Sequence, residues 1–135
     1  MKSIKEVYPE CKEDYCFYSP YDYRPLLESL GFDICLQVDD ENWQGDSRLL
    51  FKDGERWGIL IFGWGSCSGC DALQGCNSYD EVDELRQQLL HDIHWEPDTE
   101  SALQYMNEHD WEGDYSWHYL ETREFVNKTK TLLQE

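Results

Sequence analysis

Three of the chain's six cysteines, Cys67, Cys70 and Cys76, lie within ten residues of one another, the first two on Gly63-Trp64-Gly65-Ser66-Cys67-Ser68-Gly69-Cys70-Asp71. This crowding constrains the fold more than any other feature. A Cys-x-x-Cys on a Gly/Ser-rich loop, with a third Cys six residues on, can wrap three thiolates around one ion, and zinc takes sulfur and imidazole nitrogen in a tetrahedron at such spacings. The expected site is one structural zinc on Cys67, Cys70 and Cys76. His109 and His118, which bracket the segment 110–114, lead for the fourth position, followed by Cys11, Cys16 and Cys35. His91 and His94 rank behind them, one ending a helix and the other beside a strand-like pair. Free thiols are one rival. A redox dithiol is the other, and it lacks the βαβ setting in which such a motif opens a helix. No residue set resembles an open metal site with a general base, so no enzymatic activity is expected.

Charge sets the second boundary. The chain carries 29 Asp and Glu against 11 Lys and Arg, a net charge of −18. A chain this acidic does not coat nucleic acid or an anionic membrane, because both require Lys and Arg to replace counterions. Its field attracts a basic partner and speeds the encounter. A hydrophobic share of 40% and an aromatic share of 15% separate it from a disordered acidic tail. Its length of 135 residues suits one domain over 1–135, with residues 1–24 as an aromatic-rich arm. The first ten residues lack the apolar core of a signal peptide, and no apolar run reaches membrane-spanning length. The expected compartment is therefore the cytoplasm, where thiols stay reduced and a disulfide framework is disfavoured.

The patterning predicts an α+β fold. One turn of helix is expected around Ile4 to Tyr8, and a short helix from Arg24 to Leu30, with Pro25 as its start signal and Gly31 as its stop. Phe32, Ile34, Leu36 and Val38 alternate with polar residues, the period of a half-buried strand. Leu49–Phe51 and Trp57–Phe62 flank Asp53-Gly54, a hairpin signal, and the second run is apolar enough for the centre of a sheet. Ser78 and Glu81 form a capping box that opens a helix on Val82, Leu85 and Leu89. Ile93 and Trp95 suggest a short strand. Thr99 caps a helix that turns Leu103 and Met106 inward and ends near His109, and a last helix begins about Ser116. The expected architecture is an antiparallel sheet of three or four strands with helices packed on one face, stabilised by zinc.

The carboxylates are one-sided. From Asp71 to Glu124 there are fifteen, against only Arg86 and Arg123. One reading is a solvated surface. The other is a mimic of nucleic-acid phosphate that fills a basic groove, with Glu108, Asp110, Trp111, Glu112 and Asp114 as the partner-binding group. The carboxylates of Asp39, Asp40 and Glu41 lack the spacing of a calcium loop.

Gly63 to Leu73, with Trp64, Cys67, Cys70, Asp71 and Cys76, then His109-Asp110-Trp111-Glu112-Gly113-Asp114 and Trp117, resemble a family of small phage and prophage proteins. The likeness covers about half the chain and leaves out its first 25 residues. By analogy, a small, acidic, cysteine-clustered chain of this kind resembles zinc-containing anti-CRISPR inhibitors of a type II RNA-guided nuclease. The resemblance implies an inhibitor in the host cytoplasm that binds a basic surface of a CRISPR effector nuclease and blocks target DNA binding. It implies zinc as cofactor and no direct contact with nucleic acid or membrane. The alternative, from a different class, is a zinc-stabilised cytosolic enzyme or small-molecule sequestering protein of phage origin that uses the Cys-loop surface as its pocket.

Overall fold

The hairpin around Gly54 is the centre of the fold. Strands β2 (Gly45–Asp53) and β3 (Arg56–Trp64) pair antiparallel over their whole length, from Gly45 opposite Trp64 to Asp53 opposite Arg56. The connection is the two-residue loop Gly54-Glu55, one position beyond Asp53-Gly54. Gly54 sits there at φ +62°, a left-handed conformation that glycine adopts without steric penalty. β1 (Asp33–Asp39) pairs with β2, and the three-residue β4 (His94–Glu96) pairs with β3. The result is a four-stranded antiparallel sheet in the order β1-β2-β3-β4. A computed structural model describes residues 1–11, 17–41, 44–67, 69–114 and 119–135, with Asp114 by its backbone alone.

Helices cover both faces of this sheet, which corrects the expectation of one covered face. Leu49, Phe51 and Leu60 point to one side, where they meet Ile4 of α1 (Ile4–Val7), Leu26 and Leu27 of α2 (Arg24–Glu28), and Val82 and Leu89 of α3 (Tyr79–Asp92). Leu50, Trp57 and Ile59 point to the other side. There they meet Ala102 and Met106 of α4 (Thr99–Glu108), Trp111 of α5 (Trp111–Asp114), and Phe125, Val126 and Leu133 of α6 (Tyr119–Leu133). The physical reason is in the strands. Leu49-Leu50-Phe51 and Ile59-Leu60-Ile61-Phe62 are apolar at successive positions, so both sides of the pleat need cover.

β1 serves both layers by a different device. Ile34 lies opposite Phe51 and Leu36 opposite Leu50, so Cys35 is an extra residue at a bulge. One inserted residue flips every side chain after it. Phe32 and Ile34 therefore pack with the α1–α3 layer, while Leu36 and Val38 pack with the α4–α6 layer. The alternation that reads as a one-faced strand is divided between two cores.

Helix starts follow capping chemistry. The Ser78 hydroxyl accepts from Glu81 N–H, and the Glu81 carboxylate reaches back to the Asn77 N–H at 3.0 Å. Asp98, not Thr99, caps α4 by accepting from Ser101 N–H at 2.8 Å. Thr99 is the first helical residue, and its hydroxyl accepts from the Trp57 indole at 3.0 Å. The expected helix start near Ser116 lies outside the described residues, among which no helix is long and apolar enough to cross a membrane.

Candidate functional site: the cysteine loop and the acidic edge

β3 delivers the chain into the cysteine loop, and a buried carboxylate holds that loop. Asp71 is 4% exposed; its Oδ1 accepts from Gly65 N–H at 2.9 Å and the Tyr23 hydroxyl at 3.1 Å. Its Oδ2 accepts from Gln74 N–H at 2.9 Å, and the Gln74 side-chain amide donates to the Gly65 carbonyl at 3.1 Å. The Tyr23 hydroxyl in turn accepts from Leu73 N–H at 3.2 Å. Burial, with Asp71 close by, pushes the Tyr23 phenol well above its ordinary range. Gly65 is required here, since an added Cβ would land on the Cys70 carbonyl oxygen and within 2.9 Å of its sulfur.

Within this frame the Cys67 carbonyl accepts from Cys70 N–H at 3.1 Å and Asp71 N–H at 2.9 Å. The tight turn brings the two exposed sulfurs to 2.7 Å. Cys67 N–H also donates to the Cys70 sulfur at 3.1 Å. Hydrogen bonding from the Cys67 side chain, ahead of that backbone donor, holds the Cys70 thiol below its usual range. Such donors favour the thiolate, the form that attacks electrophiles and binds metals.

The other candidate ligands are placed differently. Cys76 is buried at the foot of α3, donates its S–H to the Ala72 carbonyl at 3.3 Å, and is pushed up to about 11 by burial and by Glu81, Asp71 and Glu84. Cys11 is buried in the same core and raised by desolvation. Cys35 is exposed at the β1 bulge. His109 caps the end of α4 in the layer on the opposite face, 4.4 Å from the Trp111 ring and 5.2 Å from Tyr105. His118, Cys16 and Trp117 lie outside the described residues. The structure thus brings Cys67 and Cys70 together. Among the described residues no three His, Cys, Asp or Glu side chains gather around a common point that would hold a metal ion.

The acidic residues are spread over α3, α4 and the turn at α5. Asp80, Glu81 and Glu84 are exposed on α3, and Glu100 and Glu108 on α4. Asp110 and Glu112 are exposed beside α5, where Asp110 accepts from Gly113 N–H at 2.9 Å and so shapes the turn. Trp111 is 8% exposed with its indole N–H on the Met106 carbonyl at 3.0 Å, so it supports this turn from inside and presents little surface to a partner. Of the two arginines in the segment, Arg86 is taken inward. It binds the Lys2 carbonyl at 2.7 Å, the Ser29 hydroxyl at 3.2 Å and Asp83 at 2.7 Å.

One cluster escaped the sequence reading. The His94 ring stacks on Tyr105 at 3.9 Å, and its Nε2 lies 3.1 Å from Glu96. A cleft of about 440 Å³ opens beside them, lined by Glu96, Ser101, Gln104, Tyr105, Glu108 and His109. Ser101, Gln104, Tyr105, Glu108 and His109 follow one helical spacing on α4, but only the packing of α4 against β4 joins them to His94 and Glu96. The Glu96 and Glu108 carboxylates in its lining suit a guanidinium or ammonium group. The chain matches no family model, no curated protein and no solved structure.

Proposed function

We propose that this chain is an acidic binding protein that docks on a basic, nucleic-acid-binding surface of another protein and keeps nucleic acid off it. The observation that carries the reading is the fate of Arg86. With that side chain 5% exposed, Arg123 is the one exposed arginine between residues 71 and 124, against ten exposed carboxylates in that segment among the described residues. Such a surface presents negative charge much as a phosphate backbone does, and it steers association with a basic groove. The cleft between Glu96 and Glu108 gives a place where a partner Arg or Lys side chain is received. A type II RNA-guided nuclease, the partner that the resemblance implies, holds its heteroduplex in a positively charged channel and is the first partner to test.

The test is an association-rate measurement against that effector, with DNA-binding competition as the second readout. The on-rate should fall about ten- to a hundredfold from low salt to physiological ionic strength, where screening acts beyond about 8 Å. Glu100→Lys, Glu108→Lys and Glu112→Lys together should abolish competition while leaving the melting temperature within a degree or two, since all three side chains are exposed. A salt-independent rate, or unchanged competition by the triple variant, rejects the reading.

A further inference from the structure

The Cys67–Cys70 pair has a chemistry that the acidic docking surface does not use. Both side chains are exposed, and their sulfurs stand 2.7 Å apart across a turn closed by two hydrogen bonds to the Cys67 carbonyl. That separation is a short step from a disulfide bond of about 2.05 Å, and the loop around it is already fixed by Asp71, so closure asks for little backbone movement. Cys76 and Cys11 do not compete, because both are buried in the core. We propose that Cys67 and Cys70 form a reversible dithiol–disulfide pair that exchanges with small-molecule disulfides of the glutathione class.

The Cys70 sulfur, which accepts the Cys67 N–H, attacks as the thiolate. It forms a bond to one sulfur of the reagent disulfide RSSR; the reagent's S–S bond breaks, and RS⁻ leaves to take up a proton equivalent to the one Cys70 gave up. Cys67 then loses its proton and attacks the Cys70 sulfur of the mixed disulfide, forming the intramolecular bond and expelling the second RS⁻, which is protonated. Two electrons and two protons pass from the dithiol to RSSR, yielding two RSH. Excess thiol drives the same steps backward.

The experiment uses the full reduced chain in buffers of stepped reduced-to-oxidised glutathione ratio, quenched by alkylation and mapped by mass spectrometry. The expected result is a reversible loss of about two mass units confined to the peptide carrying Cys67 and Cys70. Cys67→Ser and Cys70→Ser should each trap a glutathione adduct on the remaining partner, and Cys76→Ala should close as the parent does. In the reduced chain Cys67 and Cys70 should alkylate at least about tenfold faster than Cys76. Three outcomes overturn the proposal: a pair fully alkylatable at the most oxidising ratio, a crosslink to Cys16, Cys35 or Cys76 instead, or an equivalent of zinc that shields both thiols until chelated. No partner enters the readout, so failure here leaves the docking proposal standing.

Discussion

The two faces of the sheet bury similar apolar rows and use their buried polar groups for different ends. Toward α1–α3, the main polar tie is Tyr23–Asp71, and all but Tyr23 of its members lie between Gly65 and Gln74. It shapes one loop. Toward α4–α6, a charged side chain enters the core itself. Arg48 of β2 is 0% exposed; it pairs with Asp40 at 2.9 Å and donates to the Thr122 hydroxyl of α6 at 3.0 Å. That tie joins residues 74 positions apart in sequence and sets where α6 sits on the sheet. Among the described residues its Nη2 has no hydrogen-bond partner. The α1–α3 face uses its Tyr23–Asp71 tie to shape a loop and Arg86 to hold α3 to Lys2 and Ser29, whereas the α4–α6 face places α6 through a fully buried ion pair.

The sharpest way to break this contrast is at Arg48. Arg48→Ala should destabilise the chain by about 3–5 kcal/mol, because Asp40 then loses its cation while remaining buried. Arg48→Met keeps most of the volume and should recover part of that loss when introduced with Asp40→Asn, since a well-packed apolar replacement of a whole buried pair is often tolerated. Chemical denaturation of the two variants beside the parent decides it. Equal losses from Arg48→Ala and from the double variant would mean that the Arg48 ion pair and its bond to Thr122, and neither side-chain volume nor a stranded Asp40 charge, hold α6.

Arg48 also shows why the sequence is only partly legible. The hairpin and the α3 cap are local devices, set by Gly54 and by Ser78 with Glu81, and both are readable from a few neighbouring residues. The strand before the hairpin reads as Leu49–Phe51 because Asp46, Ser47 and Arg48 look like surface, yet β2 runs from Gly45 to Asp53. A buried ion pair is invisible until its partner is known, and here the hydroxyl that completes it lies far down the chain. The bulge at Cys35 is hidden in the same way, since a period of two looks identical on both sides of it. The Cys67–Cys70 approach follows from their spacing. The inward turn of the Cys76 sulfur does not, because spacing places a Cα and leaves the direction of the side chain open.

On the other face, the test is Asp71→Ala. Two backbone N–H groups and the Tyr23 hydroxyl lose their acceptor, which should cost about 1–3 kcal/mol, less than the loss of Arg48. The damage should be confined to the loop. Cys76 should become more reactive toward an alkylating agent while Cys11 stays protected, and the Cys67–Cys70 pair should close less completely at a given glutathione ratio. A variant that loses stability with the loop thiols unchanged would show that Asp71 supports the core and not the site.

The smallest effect expected separates the helix caps of the two faces. The Ser78 hydroxyl that opens α3 does not ionise, whereas Asp98 opens α4 with a carboxylate. The Ser101 backbone N–H, and then the Ser101 side chain, hold the Asp98 carboxyl below its usual range. A carboxylate with a depressed folded pKa contributes stability that is present above the unfolded value, about 3.9, and is lost as pH falls through the folded one. The melting-temperature gap between the parent and Asp98→Ala should therefore be open at pH 7 and narrow below about pH 4, whereas the gap for Ser78→Ala should change less. The carboxylate faces water, so screening keeps this gap small, and added salt should shrink its charged part further. A gap for Asp98→Ala that stays constant or widens in acid would mean that α4 is held by Met106 and Ala102 against the sheet, with its N-terminal charge irrelevant to the face it covers.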